Sequence, residues 1–449
     1  MSSVRAIEPV VGPIDATVTV PGSKSLTNRA LVCAALADGI STIEGGLVAD
    51  DTEAMIEALR TLGAGIDETA ETLAVTGTGG RLVPGPKELD MRLSGTTSRF
   101  LLPVVALGSG RYRADGRSGL RRRPMGPVLD GIRQLGASVS PEGEPGHLPV
   151  TIVAPGGLPG GDVAVSGDTS SQYLSGLLLA APYTRDGVRL RVTTTVVGRP
   201  FVDLTLAVMA AFGVDVEVTE PPGADLAPSG PSGGSASSGG SSAAGLELVV
   251  PAGRYRSVRY LVEPDASTAS YLLAAAAICG GRVTVDGLGR HSQQGDAGFA
   301  ALLGAMGAHV ERTASATTVT GTGELEGLGD VDLSTMPDMA QTLAAVAVFA
   351  NGPTRVRGVG FIRGHETDRV AAVVRELRRC GIEADEEPDG FVVRPGTPRP
   401  ARIATYDDHR MAMSFALLGL RRPGIEIEDP GCVAKTFPDF WDVLEGLRS

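Results

Sequence analysis

Lysine is almost missing from this chain. Of its 40 basic residues only Lys24, Lys87 and Lys435 are lysines, which singles out positions that keep a compact, titratable amine in place of a guanidinium. Cysteine is equally sparse. Cys33, Cys279, Cys380 and Cys432 stand far apart, with no Cys-x-x-Cys and no Cys/His pair at metal-ligand spacing. This argues against a disulfide scaffold and a zinc site, and a reducing compartment fits. No apolar run reaches the ~18 residues of a membrane-spanning helix. Met1 to Val20, with Arg5, Glu8 and Asp15, holds no signal-peptide core, so a cytoplasmic protein away from membranes is expected. A Gly-x4-Gly-Lys-Ser/Thr loop is lacking too: Val18 stands where its first glycine belongs, and Ser23 precedes Lys24. No Gly-x-Gly-x-x-Gly leads from a strand into a helix, which argues against dinucleotide chemistry. The formal net charge of −12 has the wrong sign for general nucleic-acid binding.

What is present is a repeat. The 449 residues, 42% apolar and 20% charged, are enough for two to three globular domains. Helical patterns end on glycine at Gly63, Gly136, Gly213, Gly307, Gly381 and Gly446, read as left-handed caps and followed by alternating strand patterns. They recur about every 70 residues, so the chain reads as six copies of one unit. One interval is longer because residues 219–245, rich in Ser, Gly, Ala and Pro, form an insertion too polar to order itself. The sixth copy ends before its strands, while residues 4–20 alternate without a leading helix. The expected division is therefore 1–21 with 263–449 as one domain and 22–262 as the other.

A second element recurs within each copy. Ser23-Lys-Ser25, Ser94-Gly-Thr-Thr-Ser98, Asp168-Thr-Ser-Ser171, Asp265-Ala-Ser-Thr268, Pro337-Asp338 and Asp407-Asp-His-Arg410 each lead into a helix of small apolar residues. Apolar all round, such helices are buried, and Ser, Thr or Asp caps their starts. Each start carries about +0.5 charge and free N–H groups, an anion site made by architecture. Cations gather at the same loops: Lys24, Arg29, the Arg111–Arg123 run, Arg363, His365, Arg369, His409, Arg410 and Lys435. An acidic chain that concentrates cations this way holds small anions.

In order along the chain stand Pro21-Gly-Ser-Lys-Ser-Leu-Thr-Asn-Arg29, Arg123-Pro-Met-Gly126, Ser170-Ser-Gln172, Asp338, His365-Glu-Thr-Asp-Arg369, Asp407-Asp-His-Arg-Met-Ala-Met413 and Ala434-Lys-Thr-Phe-Pro438. Together they resemble the 5-enolpyruvylshikimate-3-phosphate synthase family over residues 12 to 445. The resemblance implies an α/β fold of two domains, each with three βαβαββ units, called an inside-out α/β barrel. It implies transfer of the enolpyruvyl group of phosphoenolpyruvate to the 5-hydroxyl of shikimate 3-phosphate, with no cofactor or metal, by a protein expected to be a monomer. Two anions must meet, and like unit charges repel by ~4 kcal/mol at 4 Å in a medium of effective dielectric near 20.

By the same resemblance, Lys24, Gly95, Thr96, Arg123, Gln172, Arg369, His409, Arg410 and Lys435 hold phosphoenolpyruvate. Lys24, Ser25, Arg29, Ser170, Ser171, Gln172, Arg199, Asp338 and His365 hold shikimate 3-phosphate. Asp338 is the implied base, and Glu366 or Lys24 the implied acid. Departures from the family pattern are Leu93 in place of an Asn, Phe100 of a Pro, Gly198 of a Ser, Phe201 of a Tyr and Phe361 of an Asn. Two rivals stand beside this reading. One is the UDP-N-acetylglucosamine 1-carboxyvinyltransferase type, which carries Lys-Asn where this chain has Lys24-Ser25, and a loop Cys that residues 111–126 lack. The other is a non-catalytic anion-binding protein, which gains nothing from buried carboxylates such as Asp338 and Glu366.

Overall fold

A computed structural model describes residues 3–69, 71–220 and 245–448. The chain falls into two compact units, Met1–Pro21 with Glu263–Ser449, and Gly22–Val262. Of the expected insertion, Thr219 ends the strand Glu217–Thr219, Glu220 accepts a bond from Arg199, and Gly245 N donates to Val192 O. Those flanks are thus ordered, and residues 221–244 lie outside the described residues.

The repeat is visible in the sheets. Each unit carries three, and each sheet has a parallel pair at one edge followed by antiparallel neighbours. In the second unit, for instance, Lys87–Asp90 runs parallel to Ser109–Asp115, which pairs antiparallel with Val150–Pro155. The sheets are open, with no closed barrel of strands among the described residues. Strands such as Val188–Val192 alternate buried and exposed, the pattern of a sheet with one face on a core and one in water. Strands distant in sequence complete the sheets: Val4–Ile7 pairs with Ile425–Glu428, Ile14–Val18 with Gly281–Asp286, and Arg259–Leu261 with Ile40–Glu44.

Inside the sheets lie the apolar helices. Lys24–Leu36, Gly95–Ala106 and Ser171–Ala180 are buried almost throughout, as are Ala266–Cys279, Ala340–Ala347 and His409–Arg421 in the other unit. Close approach requires glycine at their contacts. A Cβ on Gly176 would stand 2.1 Å from Arg99 O. Gly63, Gly136, Gly213, Gly307 and Gly381 take the left-handed conformation that closes a helix. Gly446 does not: it is the last residue of the helix Phe440–Gly446, and Leu447 follows in helical conformation, so no reversal into a strand is needed there. No helix among the described residues is long and apolar enough to cross a membrane.

Candidate active site

In the unit Gly22–Val262, three buried helices start on residues expected at the site. Lys24 and Ser25 open Lys24–Leu36, Gly95 and Thr96 open Gly95–Ala106, and Ser171 and Gln172 open Ser171–Ala180. Ser94 and Ser170 cap the latter two, accepting from Thr97 N and Gln172 N. Lys24 Nζ sits 3.1 Å from Asp51 Oδ2. Asp51 is buried at the start of Asp50–Thr61, and its carbonyl accepts from Thr97 Oγ1 at 3.0 Å. Gln172 ties two helix starts together: Oε1 accepts from Arg99 Nη1 at 2.7 Å, and Nε2 donates to Thr96 Oγ1 at 3.2 Å. The Arg123 guanidinium lies so close to Gly95 that a Cβ there would come within 2.7 Å of it. Of the arginine-rich run, Arg123 is the buried member, while Arg113 and Arg121 spend their charge on Asp115 and Glu142 at the surface.

Arg29 is the strongest indicator of a ligand in this unit. It is buried, and its guanidinium donates to Thr205 Oγ1 at 2.8 Å, Ser25 O at 2.8 Å, Phe201 O at 2.9 Å and Ser175 Oγ at 3.3 Å. None of these is a carboxylate, and burial pulls its pKa down to about 9. A desolvated cation with neutral partners alone is costly, and an anion would relieve that cost. Ser171 lies beside Gly198, 3.3 Å from where a Cβ would stand. Arg199 is tied to Asp203 at 2.7 Å and Glu220 at 2.6 Å, so its charge is already matched locally.

In the other unit the hub is Arg369, 2% exposed. It donates to Asp408 Oδ2 at 2.8 Å, Asp338 Oδ1 at 2.8 Å and Glu366 Oε2 at 2.9 Å, and lies 3.2 Å from His365 Nδ1. Arg410 Nη2 grips the other oxygen of Asp338 at 2.7 Å, and Lys435 Nζ the other oxygen of Glu366 at 2.9 Å. Burial alone would push the Asp338 carboxyl up, but Arg410 and then Arg369 hold it down at about 2. Burial would likewise lower Arg369, yet Asp408, Glu366 and Asp338 raise it above its ordinary value. Asp408 caps His409–Arg421 by accepting from Arg410 N at 2.9 Å, which aims Arg410 from the first turn. His409 Nδ1 lies 3.7 Å from Asp408 Oδ1. His365 meets Phe361 edge to face, centroids 5.9 Å apart.

The residues expected from sequence thus gather within each unit. Nothing in the sequence marks Asp51, Arg99 and Asp408 as site residues, although each bonds a residue that the sequence does mark. Asp50-Asp51 reads along the chain as the ordinary acidic first turn of a helix, and nothing local distinguishes Asp51 from its neighbour. Asp408 is legible as a cap, but its second bond, to Arg369, is not.

Cations and carboxylates massed at buried helix starts, on a repeated α/β fold, define a protein that handles small acidic molecules. The family model "EPSP synthase (3-phosphoshikimate 1-carboxyvinyltransferase)" matches residues 10–234 and 241–444, and the chain belongs to that family of transferases. It is 43% identical over 433 residues to a 3-phosphoshikimate 1-carboxyvinyltransferase of Nostoc punctiforme, covering 96% of this chain and 95% of the relative. A relative of the same description from Methanosphaerula palustris is 42% identical over 438 residues, with 96% and 97% covered. An EPSP synthase structure from Acinetobacter baumannii superposes with a TM-score of 0.79 at 25% identity, covering 98% of this chain and 97% of that one.

Proposed function

We propose that this protein transfers the 1-carboxyvinyl group of phosphoenolpyruvate to the 5-hydroxyl of shikimate 3-phosphate, releasing phosphate. The observation that carries the reading is the paired grip of Arg369, Arg410 and Lys435 on two carboxylates, Asp338 and Glu366. As they stand, these cations are spent on carboxylates. Phosphate and carboxylate oxygens of the substrates compete for the same donors. When they take Arg410 and Arg369, Asp338 loses the charges that hold its proton affinity down, and becomes a better base.

The chemistry then balances. A proton passes from Glu366 or Lys24 to the methylene carbon of phosphoenolpyruvate. The 5-hydroxyl oxygen bonds to the adjacent carbon while Asp338 takes the hydroxyl proton. The bond from that carbon to the phosphate oxygen then breaks, phosphate leaves with the electron pair, and the new methyl group returns a proton to Glu366 or Lys24, whichever supplied it, to restore the vinyl double bond. Lys24, Gly95, Thr96, Arg123, Gln172, Arg369, His409, Arg410 and Lys435 are assigned to phosphoenolpyruvate. Lys24, Ser25, Arg29, Ser170, Ser171, Gln172, Asp338 and His365 are assigned to shikimate 3-phosphate, with Arg199 at the margin because Asp203 and Glu220 occupy it. A cytoplasmic monomer belongs to the same reading, supported by four free cysteines and by one chain carrying both clusters.

The test is phosphate release measured with both substrates and with each alone. Release that depends on shikimate 3-phosphate is expected. Asp338→Ala should lower kcat by about a hundredfold or more while phosphoenolpyruvate still binds. Release from phosphoenolpyruvate alone at the same rate would defeat the assignment.

A further inference from the structure

A buried carboxylate that the mechanism leaves unused stands one side chain away from Arg410. Asp296, in the turn Gly295–Gly298, is 6% exposed and accepts a hydrogen bond from Ser267 Oγ in the first turn of Ala266–Cys279. Among the described residues Asp296 has no ion pair within 4.0 Å, unlike Asp338 and Glu366. Ser267 Oγ in turn lies 3.4 Å from Arg410 Nη2, the same nitrogen that donates to Asp338 at 2.7 Å. A chain of contacts therefore runs from Asp296 through Ser267 to Arg410 and on to Asp338. None of the activity described above uses Asp296 or Ser267.

We propose that Asp296, acting through Ser267 and Arg410, is a positioning residue that sets how firmly Arg410 holds Asp338, and thereby the pH dependence of turnover. The inference rests on the reading of Asp338 as base. The groups facing Asp296 are few. Asp265 comes from the cap of the helix Ala266–Cys279, Asp338 from the turn Pro337–Met339, and Arg410 from His409–Arg421. Phe299–Ala305, which follows directly, brings no titratable group, and Glu263 reaches only Gln294 and Ser292 nearby. Burial first, and the charge of Asp338 second, push the Asp296 carboxyl up to about 7, against the pull of Arg410.

The direction follows from charge. Below that point Asp296 is neutral, and Arg410 is left to Asp338. Above it, Asp296 is an anion that draws on Arg410 through Ser267, and its own negative charge makes Asp338 hold a proton more readily. Turnover therefore rises through neutrality. The same titration acts on stability: the folded protein keeps the Asp296 proton from about pH 4 to about pH 7 while the unfolded chain loses it near 4, so stability falls as pH rises across that window.

The experiment is a pH profile of kcat from 5.5 to 9 for the full chain and for Asp296→Asn, with melting temperatures at both ends. The variant should lose the rise near neutrality. It should run roughly tenfold below the native enzyme at pH 8, and within about twofold of it at pH 5.5. Its melting temperature relative to native should increase from pH 5.5 to pH 9. Ser267→Ala should flatten the profile in the same way, and Ser267→Thr, which keeps the hydroxyl, should restore it. If Asp296→Asn fails to fold, the Ser267 pair reads the same coupling. Profiles of Asp296→Asn, or of Ser267→Ala where the former is insoluble, that superimpose on the native one overturn the inference. Asp338→Ala measured in parallel separates the two claims. Full turnover in that variant would sink the base assignment, whereas lost turnover beside unchanged Asp296 and Ser267 profiles sinks only the present inference.

Discussion

At the scale of single residues, the protein is organised by which cation faces which carboxylate. Lys24, Arg369 and Lys435 each meet a buried or part-buried acid, while Arg29 meets none and is held by neutral oxygens. Gly95 is the smallest participant and one of the most consequential. A methyl group there would collide with the end of the Arg123 side chain, at 2.7 Å from three of its atoms or nearly so. That end is flexible, so Gly95→Ala should fold with a melting temperature close to native. The guanidinium must nevertheless shift, and KM for phosphoenolpyruvate should rise by about tenfold, the loss of one charge-assisted bond, with a smaller change for shikimate 3-phosphate. Steady-state kinetics for both substrates check this, and an unchanged KM for phosphoenolpyruvate would remove Arg123 from the assignment. Of these residues, Lys24, Arg29, Arg123 and Arg369 were legible in the sequence because their types and neighbours are unusual. Asp51 and Arg99 were not, since an acid in a first turn and an arginine in an apolar helix become meaningful only once their partners are known.

At the scale of elements, buried helices are read correctly from apolar residues on every side. Their polar starts divide into two kinds. Ser94, Ser170, Asp265 and Asp408 close the backbone of the turn they begin. Ser23 makes no side-chain cap, and Asp338 sits in the preceding turn Pro337–Met339 with both oxygens given to arginines. Caps and site residues look alike in sequence because both are short polar side chains before an apolar run. Two consecutive left-handed residues, Tyr406 and Asp407, set up the helix start at Asp408, and buried Glu376 holds them by accepting from Tyr406 OH at 2.6 Å and Ala404 N at 3.1 Å. Such strain persists where the surroundings over-determine it. Helix contacts yield a sharper prediction. At Gly176 an added Cβ would face backbone, 2.1 Å from Arg99 O, which cannot swing aside. Gly176→Ala must part the helices Gly95–Ala106 and Ser171–Ala180, with a cost of about 1–3 kcal/mol. A melting temperature lower by several degrees is expected by calorimetry, and a native-like value would show that the helices are less tightly packed.

At the scale of the whole molecule, the chain returns to its own beginning. Val4–Ile7 and Ile14–Val18 belong to sheets whose other strands all come from residues beyond 280. Ile7 is buried, and Arg5 bonds Glu445 and lies 5.2 Å over the ring of Trp441, the single tryptophan of the protein. Deleting residues 1–9 strips one strand from the sheet of Ala401–Ile403 and Ile425–Glu428. The expected result is a lower melting transition followed by Trp441 fluorescence, which reports on this unit. A fluorescence melt identical to that of the full chain would show that the N-terminal strand is dispensable. Net charge acts at the same scale: a molecule at −12 binds anions through local fields alone, since its overall potential repels them.

Residue order by itself settled the period of the repeat, the buried helices, the polar starts and the family, because burial pattern and turn chemistry are local and survive in a linear string. Tertiary structure alone decided the pairings. That Arg369 serves Asp338, Glu366 and Asp408 together, that Arg123 settles against Gly95, and that Asp296 reaches Asp338 through Ser267 and Arg410 depends on which groups come within about 3 Å across elements far apart in the chain. At that range desolvation and a neighbouring charge shift a carboxyl by several pH units in either direction, and no spacing in a sequence encodes which of the two prevails.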